Sequence, residues 1–408
     1  MPRNCLNVSP RRLLAAAVLL AVSGCAAQSV EWRQSWPTYL ADYERRSASA
    51  QRLDVPLRAL WRRDVAPYFD VLHKRGGPQL SAPALRDGSL YVGSLDGRFY
   101  RFDAATGNLL WVYEAGAPLE SPPTVDGGRV FFGSADGVMR CLDAETGREI
   151  FSYEASSEVI SSPVRASDVL FFTSSNNRLY AVDAGSGEKL WTYDRGVQPA
   201  LIPRFFASPA LGDGRVFVLF SDGFLVALDA SSGKQLWTRR VIEDPRHAPP
   251  ARRTPLVREG AVYVVDGGGA LVAVDTATGE EIDRIGGLGV RDFLFSGATL
   301  LIVGGDTALA MDAATKHVFW KRPLGPMRVS SLFVTADKLF LLYNRERYPL
   351  GWKRLAWTEG YVEALSIESG RSLWTTRLDS TVSTAAAVSD GHVALLTDRG
   401  TLQVLGAR

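Results

Sequence analysis

The sequence repeats itself about every forty residues, and a period of that length belongs to propeller blades rather than to helical solenoids. One unit is legible over residues 81–113. Ser81-Ala82-Pro83 begins a first strand, and Ser89-Leu90-Tyr91-Val92-Gly93-Ser94 forms a second. Leu95-Asp96-Gly97 turns the chain into a third, Arg98-Phe99-Tyr100-Arg101-Phe102-Asp103, and Ala104-Ala105-Thr106-Gly107 turns it into a fourth, Asn108-Leu109-Leu110-Trp111-Val112-Tyr113. Asp–Gly between alternating apolar runs is a hairpin signal, because the turn needs positive φ and a short side-chain acceptor. The unit is therefore four short antiparallel strands, A to D.

Further copies run over 121–153, 161–193, 207–239, 253–285, 290–321 and 329–377. Two of them depart from the pattern. The fifth carries Asp283 at the position that elsewhere holds an aromatic, and the sixth carries Lys316 at the turn glycine. After Thr384 only three strands follow, ending at Thr401-Leu402-Gln403-Val404-Leu405, while Leu60-Trp61-Arg62-Arg63 matches a fourth strand. An N-terminal strand that completes the last blade closes the ring and removes its free edges. The expected fold is all-β: one eight-bladed β-propeller of four-stranded antiparallel blades over 56–408. Trp61, Trp111, Phe151, Trp191, Trp237, Trp320 and Trp374 recur at the start of strand D. Equivalent positions argue for equivalent packing between blades, with the indole N–H free to reach a backbone carbonyl.

Function on a repeat scaffold sits where the copies differ. Four segments exceed the pattern: 64–80, 194–206, 240–252 and 344–360. The first three join strand D to the next strand A and the fourth joins B to C, so all four emerge on one face of the disc. With Arg253 next to the third, they carry Leu201, Arg204, Phe205, Phe206, Arg246, Arg252, Trp352 and Arg354, arginines and apolar or aromatic side chains of the kind that anchor interfaces. The formal charge of +2 offers nothing for nucleic acid.

The N-terminus reads as a targeting signal. Arg3, Arg11 and Arg12 precede an apolar run over 13–22, too short to span a membrane comfortably. It ends in Ala21-Val22-Ser23-Gly24-Cys25, which resembles the bacterial lipobox. That resemblance implies cleavage after residue 24, acylation of Cys25 and, with Ala26 following, an outer-membrane address. Residues 25–55, with an amphipathic stretch over 32–46, are expected to serve as tether. Cys141 is then the one free thiol, expected to be buried in a strand.

Convergent chemistry is hard to find. His73, His247, His317 and His392 lack metal-ligand spacing, and no haem motif, serine elbow or phosphate loop occurs. Asp103, Asp143, Asp183, Asp229, Asp275 and Asp312 recur at one turn position, as turn-formers before acids. No catalytic residue, metal ligand or cofactor is therefore assigned.

The spacing Asp-Ala-x-Thr-Gly-x-x-x-Trp resembles the tryptophan-docking repeat of quinoprotein-type propellers. The quinoprotein dehydrogenases of that group bind calcium and a quinone in the central channel and commonly carry a vicinal disulfide there, which this sequence lacks. A resemblance covering nearly the whole chain is to the BamB-type lipoproteins of the outer-membrane β-barrel assembly machinery, through the lipobox, the length and the closed eight-bladed repeat. Pro199-Ala200-Leu201-Ile202-Pro203-Arg204 resembles that family's inter-blade Pro-x-Leu-x-Leu-Arg loop, with Pro203 in place of the second Leu. The resemblance implies a non-catalytic scaffold at the periplasmic face of the outer membrane. Its partners would be the periplasmic domains of the barrel-inserting subunit and other assembly lipoproteins. The alternatives are a quinoprotein-like periplasmic enzyme or sensor, or a scaffold of another envelope complex.

Overall fold

The structure is a computed structural model that describes residues 35–65, 81–196, 207–245, 252, 254–348 and 357–407. Its strands form eight four-stranded antiparallel sheets. Blades 1 to 7 are each continuous in sequence, starting at residues 84, 124, 164, 210, 256, 290 and 327. Blade 8 takes strands A to C from the C-terminus, and its outer strand is Arg58–Asp64 from the N-terminus, paired antiparallel with Thr401–Gly406. The expected closure of the ring is thus present.

Position within a blade dictates composition. Strands B and C are covered on both faces by neighbouring blades and read as nearly continuous apolar runs, such as Val169–Ser174. Strand D lies on the outer rim and alternates, as in Leu109–Glu114. The short A strands of adjacent blades touch one another and line the axis. Cys141 is buried, as expected.

Two local devices recur. In the C-to-D turns the aspartate carboxylate accepts from the backbone and hydroxyl of the residue three places on, for example Thr106 to Asp103 at 2.7 Å for both bonds. These bonds hold the carboxyls below their usual range, and that of Asp229 at about 2. The second device is a β-bulge beside strand D in every blade. It leaves one residue unpaired just before the docking position and turns the next side chain toward the following blade. The unpaired residues are Leu60, Leu110, Ile150, Leu190, Leu236, Ile282, Phe319 and Leu373, all exposed.

The docking aromatics pack between blades. Trp61, Trp111, Phe151, Trp191, Trp237 and Trp320 lie against Gly107, Gly147, Gly187, Gly233, Gly279 and Gly370 of the next blade, so closely that an added Cβ would come within 2.4–2.7 Å of each ring. The indoles of Trp61, Trp111, Trp237 and Trp320 donate to the carbonyls of Ala104, Ala144, Thr276 and Ile367 at 2.8, 3.1, 3.0 and 2.6 Å. Between blades 5 and 6 the two departures meet: Lys316 Nζ donates to the Asp283 carboxylate and, at 2.7 Å, to the Ala313 carbonyl.

One expectation is corrected. The residues before position 56 are not all tether, since the stretch from Trp36 to Gln51 bonds to the blades. Trp36 bridges Leu85 of blade 1 antiparallel, and Ala48 bridges Val334 of blade 7 in parallel. Between them the A-strand amides of Val125, Leu211 and Val257 donate to the carbonyls of Pro37, Tyr43 and Glu44. No amphipathic helix forms over 35–46; the segment crosses the axis as bends and turns. It is retained because the inner strands of blades 1, 2, 4, 5 and 7 offer it backbone donors that would otherwise be buried and unpaired.

Candidate functional site

Two regions have the geometry of a site: the axis and the face bearing the insertions. At the axis the central residue is Arg45, which is fully buried. Its Nε donates to the Pro209 carbonyl at 3.1 Å, and Nη1 donates to Thr38 Oγ1 and the Tyr39 carbonyl at 2.9 and 2.6 Å. Nη2 donates to the carbonyls of Ser162 and Pro163 at 3.0 and 3.4 Å. One guanidinium thus ties blades 3 and 4 to the threaded segment, and the Thr38 hydroxyl adds blade 2 through Thr124 at 2.8 Å. Burial pulls Arg45 down to about 10, so it remains a cation at neutral pH.

Arg252 closes the same plug from the connection between blades 4 and 5. Its guanidinium donates to the carbonyls of Phe293, Thr254 and Arg45, lies over the Phe293 ring at 5.2 Å and sits 3.7 Å from the Asp292 carboxylate. Burial raises the Asp292 carboxyl to about 6, against the pull of Arg252. Sequence reasoning had placed Arg252 on the binding face. Its side chain is only 5% exposed and its donors are committed inward, so it is removed from the candidate interface.

The insertion face is defined by its roots. Strand antiparallelism sends B-to-C and D-to-A connections out of the same side, and the opposite side keeps short turns. In blade 7 the second and third strands, Lys338–Arg347 and Trp357–Ser366, are each ten residues long. Their far ends pair Arg347 with Trp357. At this end Glu359 receives Arg347, Arg377, Tyr361 and Trp357, and these donors hold its carboxyl down at about 2. Tyr348 and Trp357 are exposed.

The 194–206 connection is rooted by Arg195, which pairs with Asp222 at 2.8 Å and lies over the Phe224 ring at 4.7 Å. Arg240, at the root of 240–252, covers the same ring at 5.5 Å. Two of the expected docking loops therefore leave the disc side by side. Leu201, Arg204, Phe205, Phe206, Arg246, Arg253, Trp352, Arg354 and the lipidation residue Cys25 lie outside the described residues.

Sequence reasoning missed Trp36, Thr38 and Arg45. The available signal was a tryptophan and two leucines, Trp36, Leu40 and Leu53, in a stretch expected to serve as tether; all three are buried.

Comparison with known proteins bears on both regions. The family profile described as outer membrane protein assembly factor BamB matches residues 51–140 and 119–322. No curated protein matches the chain in sequence. Among solved structures, BamB from Moraxella catarrhalis is similar at 18% identity and a TM-score of 0.68, over 86% of this chain and 100% of that one. A europium-containing methanol dehydrogenase is similar at 12% identity and a TM-score of 0.69, over 92% and 98%. A quinohemoprotein alcohol dehydrogenase from Comamonas testosteroni gives 14% and 0.67, over 92% and 81%. At these identities the structures show the propeller fold. A quinone and a metal of the dehydrogenase kind do not fit the axis of this chain. A buried cation and residues 36–51 already fill it, and no group of three or more His, Cys, Asp or Glu that could hold a metal occurs among the described residues.

Proposed function

We propose, for a chain that belongs to the family of the outer membrane protein assembly factor BamB, that it is a non-catalytic scaffold lipoprotein of the β-barrel assembly machinery. Cys25 carries the acyl anchor at the periplasmic face of the outer membrane. Several acyl chains anchor stably where one would be marginal. The propeller then presents its insertion face to the periplasmic domains of the barrel-inserting subunit and to other assembly lipoproteins.

The observation that carries the scaffold reading, against the quinoprotein enzyme that shares the fold, is the self-filled axis. The channel that a propeller enzyme would need for a cofactor is occupied by Arg45 and its carbonyl partners. A disc pinned through its axis suits a rigid platform whose loops do the binding. On that platform Leu201 enters an apolar pocket of the partner. Arg204 supplies a forked donor to a carboxylate or to carbonyls, and Phe205, Phe206, Arg246, Arg253, Trp352 and Arg354 extend the contact.

The test is a crosslinked pull-down of the anchored protein from its own envelope, read by mass spectrometry. Recovery of the barrel-inserting subunit, lost on changing Leu201→Ala with Arg204→Ala while the thermal melt is unchanged, is the expected result. Recovery of an unrelated envelope complex would transfer the scaffold to that machine, and a quinone copurifying with the chain would revive the enzyme.

A further inference from the structure

We propose that the short-turn face of the disc is its lipid-facing surface and that the insertion face points away from the membrane. This rests on the reading of Cys25 as the anchor and adds an orientation to it.

The path of the threaded segment carries the inference. Strand A of blade 1, Ala84–Arg86, runs toward its short turn at Asp87-Gly88. That turn lies on the same side as the C-to-D turn, since the Ala104 amide donates to the Gly88 carbonyl. Trp36 pairs with Leu85 in the antiparallel sense, so the chain enters the axis from the short-turn side. It turns back near Arg45, runs parallel to the first strand of blade 7, and reaches that blade's A-to-B turn, where the Ala336 amide donates to the Gln51 carbonyl. Gln51 Oε1 also accepts from Gly391, in the corresponding turn of blade 8. Both ends of the segment therefore leave by the same face, and its middle blocks the axis toward the other.

Length then decides the orientation. Ten peptide units link Cys25 to Ser35, and fully stretched they reach about 35 Å. From the axis to the rim, four strands beside a filled channel occupy about 25 Å, and strands of five or six residues make the disc about 20 Å thick. An anchor beneath the insertion face would need about 45 Å of chain, beyond that reach. The reach of the linking residues thus excludes the insertion face and leaves the anchor on the short-turn side.

The experiment uses the full-length acylated protein in vesicles containing a small fraction of acceptor-labelled lipid. Single donor dyes are placed through Glu188→Cys or Lys234→Cys on the short-turn side, and Glu114→Cys or Asp379→Cys on the insertion side. Energy transfer to the lipid should be severalfold greater from the first pair, and a flexible insertion of about twenty residues after Ala27 should erase the difference by lengthening the reach. Equal transfer from both sides, or greater transfer from the insertion side, with the protein still vesicle-bound overturns the orientation alone. Vesicle binding that is unaffected by Cys25→Ser overturns the anchor and the orientation with it.

Discussion

The junction between blades 4 and 5 and the one between blades 5 and 6 solve the same problem with opposite chemistry. In the first, Trp237 lies on Gly279 and donates to the Thr276 carbonyl at 3.0 Å. In the second, the tryptophan is Asp283, the glycine is Lys316, and the two pair across the gap. At its axial end the same junction holds Arg252 against Asp292. An apolar cluster including Leu256, Val265, Phe293 and Leu300 still fills the middle. Where the next blade has a C-to-D turn the seam thus holds a matched pair, and tryptophan with glycine is one solution among at least two. The glycine is needed because a ring rests on it; where no ring arrives, Lys316 occupies the same left-handed conformation, with φ 62°.

The largest effect should come from emptying an apolar seam. Trp237→Ala removes a buried ring and its hydrogen bond and should cost about 4 kcal/mol in urea unfolding. Asp283→Ala, at a pair more than a third exposed, should cost below about 1 kcal/mol. Equal losses would break the comparison.

The polar seam should also announce itself through pH. The Asp292 carboxyl titrates at about 6 in the folded protein and near 4 unfolded. Its favourable contribution is therefore full below about pH 4, declines as pH rises toward 6, and is gone above. The change is of order 2 kcal/mol. Stability measured from pH 4 to 7 should lose this component in Asp292→Asn, whatever the constant offset from freeing Arg252. An unchanged pH slope would place the titration elsewhere.

A smaller and sharper test converts one seam into the other. Asp283→Trp alone drives a ring onto the Lys316 side chain and should destabilise by about 1–2 kcal/mol. Adding Lys316→Gly should recover that loss, a coupling readable in a double-mutant cycle. Additive effects would mean that the two positions do not form a seam.

The parts of the molecule legible in sequence are those with a period. Asp103, Gly107 and Trp111 announce their roles because six or seven copies of each stand at fixed spacing. The bulge before each tryptophan, by contrast, leaves no compositional mark beyond an apolar residue such as Leu110, which the alternation alone would assign to a paired strand. The threaded segment was illegible for a different reason. Its contacts are spread over many blades and made by different residue types, so no periodicity survives. Its anchoring residue, Arg45, is satisfied almost wholly by backbone carbonyls, which any sequence possesses. Arg252 was misplaced on the same ground: a loop arginine looks solvated until the carbonyls that receive it are known. The docking loops remain a proposal carried by Leu201 and Arg204.

The closing blade also sets the order in which the molecule can be made. Its outer strand is among the first parts of the described chain to emerge from any vectorial process, and its three partners are the last. Arg58–Asp64 must wait, unpaired, until Thr401–Gly406 arrives, and contacts across so long a loop form slowly. Trp61 and the threaded segment lack their partners throughout that wait, as exposed apolar surface of the kind that favours misassembly. Completion is then all at once, because the final strand brings the first strand, its seam with blade 1 and the axial plug into register together.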